Sequence, residues 1–209
     1  MDIKRFKRLP IMGILRGAPL SSIEPLMEAA ASAGLETIEI TMNAPDATES
    51  IGRAVKASGT RLMIGAGTVL DIGSLRAALD AGARFIVTPV LIDDVTAYCA
   101  KNKIPVFPGA LTPGEIYAAW KAGAAMVKVF PARFFGPGYF KELKGPFNDI
   151  ELLACGGVSA DNIKEYLYSG ASAVAFGASI FRKDWIEKGD YGKITEAIKG
   201  LIGNLPICL

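Results

Sequence analysis

Short apolar runs alternate with amphipathic stretches along the whole chain. Ile11-Met12-Gly13-Ile14-Leu15-Arg16 reads as the first strand. Residues 22–33 follow with helical spacing, capped by Ser21 or Ser22 and stopped by Gly34. A second strand over 35–42 carries Glu39, and a helix covers 45–58. The third strand, 61–68, runs into Gly65-Ala66-Gly67-Thr68. The same order continues with helix 71–81, strand 84–89, helix 93–102 and strand 104–108. Thr112-Pro113-Gly114-Glu115 opens the next helix as a capping box with proline at its first position. The sixth strand is Ala124-Ala125-Met126-Val127-Lys128-Val129-Phe130-Pro131. A short helix from Gly136 to near Lys144, strand 150–155, helix 159–168, strand 171–176 and a last helix over 193–201 complete the series. A short amphipathic helix over 2–8, ended by Pro10, precedes it.

Eight strand–helix units with short links mean parallel strands and right-handed crossovers. An open doubly wound sheet fits the order too, but eight units at minimal length favour closure. The expected fold is therefore α/β, a single (β/α)8 TIM barrel with an extra N-terminal helix, one domain over 1–209. Gly34, Gly82, Gly123 and Gly170 each close a helix before an even-numbered strand, where a left-handed helix end is needed.

Composition narrows the chemistry. The chain has 209 residues, 51% of them hydrophobic, enough for a large core. Its 23 basic and 21 acidic residues nearly cancel, so nothing points to nucleic acid. No apolar run reaches membrane-spanning length, and the basic start lacks the apolar run of a signal peptide. Cys99, Cys155 and Cys208 lie far apart, as free thiols in a reducing cytosol would, without zinc-site spacing. There is no histidine, which excludes His-based triads and His-ligated metals. Catalysis is left to Lys, Glu, Asp, Tyr, Cys and backbone groups, with no metal or cofactor expected.

Against that background Lys128 stands out. An ammonium inside an apolar strand is costly, and burial disfavours its charged form. A neutral amine there is a nucleophile able to form a Schiff base; a snorkelling or ion-paired lysine is the plainer alternative. Glu39, between two isoleucines on another even strand, faces Lys128 across a barrel, either as acid/base or as a structural partner. Arg16 ends the first strand where it could hold a carboxylate, or could simply be a rim arginine. Thr68 stands at the same mouth. Gly156-Gly157-Val158-Ser159 and Gly177-Ala178-Ser179 follow strands seven and eight, the common phosphate position in barrels, although tight turns alone would also explain them.

On these residues the sequence is similar to the bacterial 2-keto-3-deoxy-6-phosphogluconate and 6-phosphogalactonate aldolases, class I enzymes of the (β/α)8 fold. The likeness runs from Gly13 to about Arg182, through the segments around Glu39, Thr68, Pro89, Lys128 and Gly156-Gly157-Val158. It implies Lys128 as the Schiff-base lysine and Glu39 as the acid/base. It implies Thr68, Pro89 and Phe130 around the pyruvoyl group, and Gly156, Gly157 and Ser179 on the phosphate. It further implies a phosphorylated keto-acid substrate, pyruvate and glyceraldehyde 3-phosphate as products, and activity on 4-hydroxy-2-oxoglutarate. A place in Entner–Doudoroff-type carbohydrate metabolism, the cytoplasm and a homotrimer are also implied. Asn43 stands where the enterobacterial gluconate enzymes have an arginine clamp, while Arg16 and Phe135-Gly136-Pro137-Gly138-Tyr139 resemble the galactonate branch. The epimer accepted is thus the open point. A metal-free phosphosugar isomerase or synthase, or a non-catalytic sensor on the same fold, are the rival readings.

Overall fold

The computed structural model describes residues 1–206, so Cys208 lies outside the described residues. Nine β segments form one sheet in the order β5-β4-β3-β2-β1-β9-β8-β7-β6, with every pair parallel. They are β1 Ile11–Leu15, β2 Thr37–Thr41, β3 Met63–Gly67, β4 Ile86–Val87, β5 Val106–Phe107, β6 Gly109–Ala110, β7 Val127–Val129, β8 Leu152–Cys155 and β9 Ala173–Phe176. The two ends of that order, β5 and β6, are halves of one strand. They are split at Pro108, which has no N–H to give to a ladder. This stretch pairs with β4 on one side, while Lys128 N–H donates to the Pro108 carbonyl (2.9 Å) on the other. The sheet therefore closes into an eight-stranded barrel, as the strand–helix count predicts.

Residue alternation sorts the strands into two faces. Val127, Val129, Ile38, Ile40, Leu152 and Ala154 point outward into the large core beneath the helices. Met12, Met63, Phe85, Phe107, Met126, Leu153 and Cys155 fill the barrel interior instead. Helix α1 (Ile3–Arg8) closes the N-terminal end of this interior. Its Phe6 is fully buried and meets Phe107 edge-to-face at 5.9 Å. Arg5 ties α1 down through Glu36 (2.6 Å) and the carbonyls of Thr60 and Arg61.

The outer helices are α2 Ile23–Ser32, α3 Ala47–Ser58, α4 Ile72–Asp80, α5 Asp93–Lys101, α6 Pro113–Lys121, α7 Gly136–Lys144, α8 Ile163–Tyr168, α9 Lys183–Glu187 and α10 Tyr191–Gly203. The capping box on α6 is present, with Thr112 and Glu115 bonded reciprocally to each other's backbone. Gly34, Gly82, Gly123 and Gly170 all have positive φ, as left-handed helix ends require. Several boundaries differ from the sequence expectation. Ser22 sits at the start of α2, but its buried hydroxyl makes no cap bond. Helix α3 starts at Ala47, because residues 43–46 turn first. The short α9 carries too few residues to show a period, and α10 begins two residues earlier than its apolar pattern suggests.

Candidate active site

The middle of β7 puts Lys128 into the barrel interior, because its neighbours Val127 and Val129 take the outward positions. Only 7% of Lys128 is exposed. Glu39, 1% exposed, occupies the matching inward position on β2, between outward-facing Ile38 and Ile40. Four strand positions separate β2 from β7 in either direction around the ring, so the two groups approach from opposite walls. Both Glu39 carboxylate oxygens are buried without a hydrogen-bond partner. That is an expensive arrangement for a purely structural residue. Room for the carboxylate exists only because position 67 has no side chain: a Cβ there would fall 1.6 Å from Glu39 Oε1.

The electrostatics of the pair differ from the sequence expectation. Burial raises the Glu39 carboxyl above its ordinary value, opposed by the charges of Lys128 and Arg16. For Lys128, burial favours the neutral amine, but the opposite charge of Glu39 offsets it and the net direction is upward. The lysine therefore keeps its proton at rest, as half of a coupled pair. The Cys155 thiol, which lines the same cavity as the Lys128 amine, is pushed up to about 11 by burial, so it is neutral near pH 7.

Above Lys128 lies a cavity of about 480 Å³ at the C-terminal end of the strands. Arg16, Thr68, Pro89, Lys128, Phe130, Gly156, Gly157 and Ser179 all line it, so every site residue expected from the sequence except Glu39 converges there. Glu39 sits beneath, fully enclosed. Thr68 holds a left-handed backbone (φ 55°), a strained conformation for a β-branched residue of the kind found at functional sites. The Phe130 ring covers the amine, with Lys128 Nζ 5.4 Å from its centroid.

The two small-residue turns close the side of the cavity at β8, β9 and β1. Gly156 and Gly157 are both left-handed (φ 94° and 89°). Neither turn feeds a helix directly, because α8 starts at Ile163 and α9 at Lys183. Their capacity for an anion is thus a matter of backbone N–H groups rather than of a helix end. Among the described residues the N–H groups of Gly157, Ala178 and Ser179 have no carbonyl acceptor. Asn162 braces the first turn, its Nδ2 donating to Gly157 O and its Oδ1 accepting from Ser159 N–H, each at 2.9 Å. Arg16 leaves β1, which pairs with both β2 and β9.

Sequence reasoning missed Cys155, Gly67, Asn162 and Arg133, a further lining residue. Their places depend on which strands become neighbours, and only the Gly-rich run at 65–67 carried a signal. Among the described residues no cluster of His, Cys, Asp and Glu could hold a metal ion, and no helix is long and apolar enough to cross a membrane.

The family model of the KDPG and KHG aldolases matches residues 3–197. The 2-dehydro-3-deoxy-6-phosphogalactonate aldolase of Escherichia coli is 35% identical over 176 residues, 84% of this chain and 86% of that protein. The 2-dehydro-3-deoxy-phosphogluconate aldolase of Pseudomonas aeruginosa is 35% identical over 187 residues, 89% of this chain and 83% of that one. A KDPG aldolase from Legionella pneumophila was solved with pyruvate captured at low pH as a covalent carbinolamine intermediate. It superposes with a TM-score of 0.85 at 27% identity, covering 92% of this chain and 93% of that chain.

Proposed function

This chain belongs to the KDPG and KHG aldolase family, and from that we propose a class I aldolase that works through a Schiff base on Lys128. Its substrate is 2-dehydro-3-deoxy-6-phosphogluconate, the 6-phosphogalactonate epimer, or both, with 4-hydroxy-2-oxoglutarate as a phosphate-free alternative. The products from the phosphorylated acids are pyruvate and D-glyceraldehyde 3-phosphate. The observation that carries the proposal is the enclosed Lys128–Glu39 pair, set on opposite walls beneath an open cavity with no acidic side chain in its lining.

Glu39 takes the Lys128 proton, and the free amine attacks the C2 ketone. The protonated carboxyl then returns its proton to the carbinolamine hydroxyl, which leaves as water and gives an iminium. Glu39, again a carboxylate, removes the proton of the C4 hydroxyl. The C3–C4 bonding electrons pass into the iminium as an enamine, and glyceraldehyde 3-phosphate departs. Protonation of the enamine carbon by Glu39 and hydrolysis release pyruvate and the lysine. Arg16 and Thr68 hold the carboxylate, Pro89 and Phe130 flank the pyruvoyl group, and Gly156, Gly157 and Ser179 hold the phosphate. These steps call for neither a metal nor an organic cofactor.

Beyond the site, we propose that the chain acts as one barrel domain over 1–209, in the cytoplasm, as a homotrimer, on the strength of the family resemblance. Cleavage of the two phosphorylated epimers and of 4-hydroxy-2-oxoglutarate, followed by pyruvate release, tests the reaction. Pyruvate from at least one of them is expected. Isomerisation of a phosphosugar without pyruvate release would replace the proposal with an isomerase, a reading that leaves Lys128 idle.

A further inference from the structure

We infer that Arg133 is a further anion-binding residue, a guanidinium that engages the phosphate end of the substrate beside the backbone donors of the two turns. The inference deepens the aldolase reading and rests on it for the ligand's identity. Arg133 lies in the turn Ala132–Phe134, directly after the Lys128 strand, and lines the same cavity as Gly156, Gly157 and Ser179. Its N–H donates to the Gly156 carbonyl at 2.9 Å, which locks its backbone to the glycine turn. Its stem lies over Gly157: a Cβ on that glycine would be 2.5 Å from Arg133 Cβ and 3.5 Å from Cδ. The guanidinium carbon sits 5.6 Å from the Phe134 ring centroid, which limits where the head group can go.

The charge pattern points the same way. Arg53, Arg61 and Arg182, also on the surface, each pair with a carboxylate. Arg8, Arg76 and Arg84 lack a carboxylate partner as Arg16 and Arg133 do, but among the described residues only Arg16 and Arg133 line the cavity, so it is their place that sets these two apart. A rigid fork beside free backbone N–H groups suits the oxygens of a phosphate, which it can bind bidentately.

Arg133→Met keeps the stem over Gly157 and removes the fork; Arg133→Lys keeps the charge alone. Inorganic phosphate is the probe, titrated calorimetrically into the wild-type protein and both variants. Arg133→Met should weaken phosphate binding about tenfold, and Arg133→Lys should lose less, as expected for one charge-assisted contact at a solvent-accessible site. In steady state, Arg133→Met should raise KM for the phosphorylated acid more than it lowers kcat. It should also reduce the kcat/KM preference for phosphorylated over phosphate-free substrate by a similar factor. Equal phosphate affinity in wild type and Arg133→Met, or no measurable phosphate binding by the wild type, would overturn the inference. Arg133-dependent phosphate binding without cleavage of any keto acid would instead leave the anion site standing and remove the aldolase.

Discussion

A lysine and a glutamate cannot each be read alone when both are buried in one barrel. Desolvation pushes Glu39 toward its protonated form, and Glu39 in turn holds the Lys128 proton. Replacing Glu39 by Gln removes the proton carrier and should cut turnover by about a hundredfold or more, while pyruvate still binds. The raised carboxyl also places the acid limb of the rate profile above the ordinary value of 4.5, since Glu39 must be ionised to accept a proton. Lys128→Met removes the amine proposed to form the Schiff base and leaves Glu39 with only the smaller counter-charge effect of Arg16. The folded-state value of Glu39 then lies further above the unfolded one. The stability this group contributes is present below the unfolded value and lost as pH rises through the folded one. Denaturant titrations of Lys128→Met should therefore show stability falling from pH 5 to pH 8 more steeply than in the wild type. Cys155, with a thiol near 11, should resist alkylation at pH 7 in the folded protein and react on unfolding.

Among the elements, β3 and α1 show how much of the site is built from parts that do no chemistry. Gly67 on β3 is the space into which Glu39 folds. A methyl at this position must move the carboxylate by an ångström or more, so Gly67→Ala should cost about a hundredfold in turnover, with melting temperature as the control. Helix α1 plugs the lower end of the barrel with Phe6. Phe6→Ala should destabilise the fold by about 3–5 kcal/mol, read by urea titration, through the cavity it leaves. The sequence made both elements visible and neither role. An amphipathic run before Pro10 predicts a helix, but nothing local says that its apolar side faces a barrel end. Likewise the lysine and the glutamate announce themselves because a charge interrupts an apolar strand. Cys155 and Asn162 stay silent, and Gly67 shows only as part of a Gly-rich run, because their importance comes from a neighbour across a strand or turn. The split of one strand at Pro108 and the late start of α3 are backbone details of the same kind.

For the molecule as a whole, the strand–helix rhythm was legible because parallel strands need crossover helices, and eight of them close a ring. Which residues share the interior followed from alternation once the ring was assumed. The distribution of charge around the mouth was not legible, since Arg16 and Arg133 are 117 positions apart in the sequence and reach one cavity only because the barrel sets β1 two strands from β8 and three from β7. Together with Lys128 they make the cavity attractive to a substrate carrying both a carboxylate and a phosphate. Incubation with pyruvate and sodium borohydride, followed by peptide mass mapping, reports directly on the covalent step. A reduced pyruvyl adduct confined to Lys128 is the expected result; an unmodified protein, or an adduct carried by another lysine, would contradict it.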